Sequence, residues 1–152
     1  GIKRLNRASE ITEYLTTEQL LPAPAQGALA IEIRGYDRDL SKALEKLDHI
    51  ETRLITTAER AVLVGLDASC QTAIGALATL DGNRLSLVAE LSDGDTNRHS
   101  RAEAAIVLEN GDTMLDEAFQ LGLMVAKQLD TTGINVASRA DVNSESGTEA
   151  ND

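Results

Sequence analysis

The sequence predicts an α+β fold: a small three-stranded antiparallel sheet with helices packed on one face, preceded by a strand-helix arm. Three observations carry this. Apolar residues repeat at helical spacing from Leu54 to Leu66, the period changes to two between Thr72 and Leu108, and helical spacing returns from Leu115 to Leu129. A helix with one apolar stripe and a sheet with one apolar face each need a covering layer, and elements in this order can cover one another.

Residues 9–20 have polar spacing compatible with a helix, ended by Pro22 and Pro24, which block continuation and favour extended chain. Ala28, Leu29, Ala30, Ile31 and Ile33 then read as a mostly apolar strand of the kind buried on both faces. Asp37 is placed to cap a short helix reaching Leu47, with Leu40, Ala43, Leu44 and Leu47 on one stripe. The next helix starts near Thr52 and runs to about Leu66. Its stripe is Leu54, Ile55, Ala58, Ala61, Val62, Gly65 and Leu66, and its C-terminal end points at the loop around Cys70. Glu59 and Arg60 are read as lying largely off that stripe, as a solvated or interdomain ion pair.

Strand alternation follows, with Ile74, Ala76, Ala78 and Leu80 on one face, a hairpin signal at Asp81-Gly82, and Leu85, Leu87, Ala89 and Leu91 on the return strand. A loop at Ser92-Asp93-Gly94-Asp95 leads to a third strand with Ala102, Ala104, Ile106 and Leu108 inward and Arg101 and Glu103 outward, and Asn110-Gly111-Asp112 ends the sheet. Asp112 or Thr113 caps a final helix whose stripe is Leu115, Ala118, Phe119, Gly122, Val125, Ala126 and Leu129, and Gly133 stops it. Ile74, Leu87, Ile106 and Phe119 are expected between the sheet and this helix, so that Phe119→Ala costs roughly 3–5 kcal/mol. Residues 135–152 keep no periodicity and read as a disordered tail.

Composition narrows the function. Hydrophobic residues make up 42% of the 152 but aromatics only 2%, so the core must be built from Leu, Ile, Val and Ala. The net charge of -11 repels phosphate backbones and argues against nucleic acid as a partner. No stretch approaches the roughly 18 apolar residues of a membrane span, so no membrane is expected and a cytoplasmic location is. The chain starts at Gly1-Ile2-Lys3 without an initiator Met and reads as an excerpt of a longer protein.

Cys70 is the one cysteine, which excludes an internal disulfide, and it sits in a run of small residues where the helical period gives way to the strand period. A cysteine hydrolase would need a histidine base, and only His49 and His99 exist, without a recognisable partner pattern. One Cys and two separated His residues lack metal-ligand spacing, so no metal is expected. No phosphate-binding glycine loop appears either.

Residues 21–75 resemble porphobilinogen deaminases (hydroxymethylbilane synthases). The resemblance rests on Leu21-Pro22-Ala23-Pro24-Ala25-Gln26-Gly27-Ala28-Leu29-Ala30-Ile31-Glu32, which is similar to the family's Pro-Ala-x-x-Gln-Gly-Ala-x-x-Ile-Glu stretch. It rests equally on Thr57-Ala58-Glu59-Arg60-Ala61, followed ten residues later by Cys70-Gln71. The chain departs from the family at Ala68-Ser69, where a Gly-Gly pair usually stands, and at Ala73, where proline is usual.

The resemblance implies a transferase of tetrapyrrole and heme biosynthesis that condenses four porphobilinogen molecules into hydroxymethylbilane. It implies a dipyrromethane cofactor tethered through a thioether to Cys70, with Gln26 and Gly27 near the cofactor cleft. The proton-transfer carboxylate and the arginines that bind substrate carboxylates would lie outside this chain, which alone should be inactive and lack the cofactor. The implied division is the end of a second domain over 1–24, a strand and helix returning to the first domain over 25–47, the cofactor-anchoring domain over 48–134, and the tail over 135–152. A non-catalytic α+β interaction or regulatory module is the alternative. Because the strand at 28–33 lacks partners here, a homodimer through that segment or a disordered arm is expected, the dimer ahead of the two.

Overall fold

The computed structural model describes residues 2–69, 72–93, 98–109 and 111–130. The Gly133 stop, the tail, Gly94-Asp95, Asn110 and the Cys70-Gln71 pair lie outside those residues. The C-terminal part has the order helix, three strands, helix: α2 (Ile50–Gly65), β1 (Ala73–Asp81), β2 (Arg84–Asp93), β3 (Arg98–Val107) and α3 (Met114–Asp130), with a shorter α1 (Arg38–Leu44) ahead of it.

The three strands pair antiparallel in the order β1-β2-β3. The register sets Ala78 opposite Leu87 and Leu87 opposite Ala104, so the small and large residues of the period-two runs alternate across one face. Gly82 takes a left-handed φ of 59° at the first position of the two-residue β1–β2 turn. The same turn supplies the Asn83 carbonyl that accepts from Leu108 N–H at 2.8 Å and extends the sheet past β3.

α2 packs on β1 and α3 on β3, side by side on one face. The core between them is aliphatic: Leu54, Leu85, Leu87, Leu91, Leu121 and Leu129 are all buried. α2 begins two residues before Thr52, because the His49 ring nitrogen Nδ1 accepts from Thr52 N–H at 3.3 Å and caps the helix. The Thr113 carbonyl accepts the first bond of α3, from Glu117 N–H at 2.9 Å. The Glu117 carboxylate takes the Thr113 hydroxyl at 2.7 Å and Glu109 N–H at 2.8 Å, tying the exit of β3 to the helix.

Four expectations need correction. Residues 28–33 form no strand: they run as irregular chain, with Leu29 97% and Ile31 60% exposed, because no described element offers them an edge to pair with. Residues 9–20 form no α-helix; one 3-10 turn at Ala8–Glu10 is what remains of it, since polar spacing without a face to bury cannot sustain a helix. α1 is capped by Asp37 as expected, its carboxylate accepting from Leu40 N–H at 3.1 Å, but it tightens into 3-10 geometry at Glu45–Leu47 and leaves Leu40 and Leu47 exposed.

The fourth correction concerns α3. Its buried side is Ala118, Leu121, Gly122, Val125, Ala126 and Leu129, with Phe119 half-buried on the flank. Leu121 lies three residues after Ala118 and four before Val125, which centres the stripe on it and displaces the bulkier ring.

Two predictions follow from this register. Leu121→Ala should cost about 2–5 kcal/mol and Phe119→Ala distinctly less, read from paired urea midpoints. A Cβ on Gly122 would stand 2.3 Å from the Ala58 carbonyl oxygen and 2.4 Å from the Ala61 Cβ. Gly122→Ala should therefore destabilise by about 1–3 kcal/mol, whereas an unchanged midpoint would mean that the helices are not in this contact.

Candidate functional site

The loop that carries Cys70 is rooted in a well-built helix end. Asp67 adopts φ 48°, its N–H donates to the Val64 carbonyl at 3.2 Å, and Ala68 N–H donates to the Leu63 carbonyl at 3.0 Å. That pair of bonds around a left-handed residue is the Schellman ending of a helix, with Asp67 where glycine is commonest. Leu66 and Ala68 are buried in the core, so the chain leaves α2 from a fixed point.

Beyond it, Ser69 N–H donates to the Thr72 hydroxyl at 3.1 Å and Thr72 N–H donates to the Ser69 carbonyl at 3.2 Å. These reciprocal bonds join Ser69, just after α2, to Thr72, just before β1. Cys70, predicted as the covalent anchor, lies outside the described residues; its two flanks are fixed.

The second element of the site is the segment before residue 28. Leu21 is buried, against Gly75 of β1, where an added Cβ would stand 2.6 Å from the Leu21 Cβ. The Pro22 carbonyl accepts from Ala76 N–H at 2.9 Å, so the arm borders the free edge of β1. A groove of about 200 Å³ lies beside this contact, lined by Leu20, Leu21, Ala73, Ile74, Gly75 and Glu90. Farther along β3, the Arg101 guanidinium reaches the Thr17 and Glu18 carbonyls at 3.5 and 3.4 Å and the Glu90 carboxylate at 3.5 Å. The Thr16 hydroxyl, together with a backbone bond and the Arg101 charge, holds the Glu18 carboxyl below the usual carboxylate range.

Gln26 and Gly27, predicted near the cofactor cleft, are exposed members of the turn that follows. Gln26 N–H donates to the Ala23 carbonyl at 3.0 Å, and the Gln26 side-chain oxygen accepts from Ala23 N–H at 3.2 Å, so this residue closes its own turn. Gly27 has φ 90° with open space where a Cβ would be. Ala25, immediately before Gln26, takes φ 61°.

Glu59 corrects the sequence reading. It is no surface ion pair: the residue is 5% exposed, and its carboxylate accepts from Ala25 N–H at 2.7 Å and from Ala78 N–H at 2.9 Å. The turn with Gln26 and Gly27 is thereby tied to α2, the helix that leads into the Cys70 loop. The spacing of Glu59, four after Ile55 and three before Val62, was a usable signal that it faces inward. Arg60 is exposed, and it lines a shallow recess of about 330 Å³ under residues 28–31. Among the described residues no group of three or more His, Cys, Asp or Glu is placed to hold a metal ion, and no helix is long and apolar enough to cross a membrane.

This architecture is a small open-faced α+β domain with an upstream arm fastened to its sheet edge and a single cysteine in its helix-to-strand loop. Comparison with known proteins gives that class a family. The sequence model for the porphobilinogen deaminase C-terminal domain matches residues 54–131, and that for the porphobilinogen deaminase dipyromethane cofactor binding domain matches residues 1–42. A porphobilinogen deaminase of Mycobacteroides abscessus is 40% identical over 139 residues, covering 85% of this chain and 43% of that protein. Porphobilinogen deaminase 1 of Streptomyces coelicolor is 36% identical over 133 residues, covering 88% and 35%, and the enzyme of Mycobacterium tuberculosis is 41% identical over 141 residues, covering 85% and 42%. The chain belongs to the porphobilinogen deaminase family, and it spans less than half the length of these relatives.

The arm contact is directly testable. Gly75→Val should drive Leu21 off the edge of β1, so that limited proteolysis cuts residues 5–27 faster while the domain over 50–130 keeps its thermal midpoint within a few degrees. Unchanged cleavage would contradict the docking.

Proposed function

We propose that this chain provides the cofactor-anchoring part of a porphobilinogen deaminase, a transferase of heme biosynthesis in the cytoplasm that condenses four porphobilinogen molecules into hydroxymethylbilane. The observation that supports this is the Schellman ending of α2 at Asp67 and Ala68, two residues before the one cysteine of a chain that belongs to this family. Cys70 is the anchor and would hold dipyrromethane by a thioether. When bound, the cofactor supplies the free pyrrole end to which successive porphobilinogen units add.

The described residues fit such a group in a limited way. Gln26 spends its side-chain oxygen on the Ala23 amide, which leaves its amide nitrogen to donate toward a carboxylate. Gly27 leaves room for close approach. A covalent tether suits a product that must be retained through repeated additions, so Cys70 acts as an anchor and not as a base. With a net charge of -11, this chain is poorly suited to binding acetate and propionate groups by itself. The arginines and the proton-transfer carboxylate belong to the remainder of the enzyme, and no residue here is assigned a catalytic role.

The chain divides into the end of the second domain (1–24), the segment returning to the first (25–47), the anchoring domain (48–134) and the tail (135–152). The exposure of Leu29 and Ile31 favours association of isolated chains through residues 28–33.

The 152-residue chain should show its unmodified mass and a thiol that reacts with an exposed-thiol reagent. In the longer enzyme, Cys70→Ala should remove a covalent dipyrromethane increment from the intact mass and abolish turnover. An increment retained in Cys70→Ala would refute the anchor. Sedimentation of the 152-residue chain should give a dimer that Leu29→Asp together with Ile31→Asp converts to monomer; a monomer before substitution would refute association.

A further inference from the structure

Among the described residues Glu59 is the one buried charged side chain, and both of its oxygens are spent on backbone amides from two separate segments. The first, Ala78 N–H, lies on the free edge of β1, two residues from Ala76, whose N–H goes to Pro22. The carboxylate therefore completes a row of edge donors that the arm begins. The second, Ala25 N–H, belongs to a residue with φ 61°. Alanine pays for that region with a population loss of roughly tenfold relative to its ordinary backbone wells. Such a conformation persists where the surroundings over-determine it. Here the constraint is direct, because the bonded amide is that of the strained residue.

We propose that Glu59 is a positioning residue: its carboxylate latches the turn over residues 23–27 to the sheet edge in a strained form, so that the C-terminal domain sets how Gln26 and Gly27 are presented. If Ala25 relaxed to extended backbone, the bond from Ala28 N–H to the Ala25 carbonyl, at 3.3 Å, would open and the two following residues would swing away from α2. A carboxylate is required because the site holds two donors. Glutamine offers one acceptor and sets an N–H₂ group against an N–H, and aspartate is one methylene too short to span the gap. The consequence for Gln26 and Gly27 deepens the cofactor reading above, whereas the latch itself is a property of the chain without cofactor.

Amide exchange measured by NMR on the 152-residue chain tests this. Glu59→Gln should speed exchange at Ala25 and Ala76 by about tenfold or more while Leu87, in the central strand, keeps its protection. Adding Ala25→Gly to Glu59→Gln should restore much of the protection at Ala76, because glycine adopts left-handed φ without cost. A purely structural role would instead expose Leu87 together with the arm and would not be rescued by a glycine. Unchanged exchange at Ala76 in Glu59→Gln, or no rescue, overturns the proposal. If Glu59→Gln unfolds the domain, Ala25→Gly alone decides: exchange at Ala76 should slow, and equal or faster exchange overturns the latch. None of these outcomes bears on Cys70, whose mass and thiol tests do not pass through the turn.

Discussion

At Gly122 a single methyl group would meet the Ala58 carbonyl oxygen at 2.3 Å, and at Gly65 it would meet the Ala126 Cβ at 2.5 Å. This close approach of α2 and α3 is the constraint on which the rest of the domain depends. Three strands spaced about 4.8 Å apart make a sheet little wider than one helix with its side chains, which is about 10–12 Å across. Two helices at ordinary separation would overhang it. Ala58, Ala61, Gly65, Gly122 and Ala126 let them draw together, so that α2 and α3 share the one apolar face. A chain with 2% aromatics has no large rings to fill a wider gap, and its aliphatic core closes because the helices come in.

That geometry leaves a cost at the sheet edge. The helices cover the face and not the outer side of β1, where Ala76 and Ala78 turn their N–H groups outward. An exposed edge of this kind is an invitation to pairing with another chain. The arm answers one donor with the Pro22 carbonyl, and α2 answers the other by sending the Glu59 carboxylate around the edge. A buried carboxylate is tolerable when hydrogen bonds replace its lost hydration, and Glu59 has one on each oxygen. The arm is thus fastened by the same group that finishes the sheet.

The domain was legible in the sequence where a local period had a partner to satisfy it. The stripe of α2, the alternation through Leu85, Leu87, Ala89 and Leu91, and the turn at Gly82 all appear as read, because each face they predict meets another predicted face. The arm was not legible for the opposite reason. Residues 28–33 have the composition of a buried strand, but composition cannot supply the neighbouring strands whose amides would complete a ladder, and the segment runs irregular with Leu29 in solvent. Phe119 was assigned to the core by its helical spacing, whereas the buried side of α3 centres on Leu121, with the small Gly122 against Ala58 and Ala61 of α2. In the candidate site, Gln26 and Gly27 were assigned through the family motif they resemble, and the structure places them in a turn. Glu59 was misplaced because a charged residue on a helix is ordinarily solvated, and the two backbone donors that reverse the rule come from positions 25 and 78, one on each side of it in the chain.

The asymmetry between these parts bears on what the chain is for. What fixes the root of the loop is local: a left-handed helix ending at Asp67, the buried Leu66 and Ala68 side chains, and the paired bonds between Ser69 and Thr72. Between Gly27 and α2 the chain is mostly exposed, and Leu29, Ile31, Leu40 and Leu47 stand in solvent among charged residues. On the proposed reading, an anchor holds its cargo at a fixed point while the chemistry occurs elsewhere, so a fixed helix end suits the tether and exposed apolar residues suit the side that the rest of the enzyme would cover. The charge agrees with that division. An acidic piece is a poor receptor for carboxylated pyrroles, but a thioether needs no cation, which makes a cysteine on an acidic domain a workable tether for a ligand that other surfaces must bind.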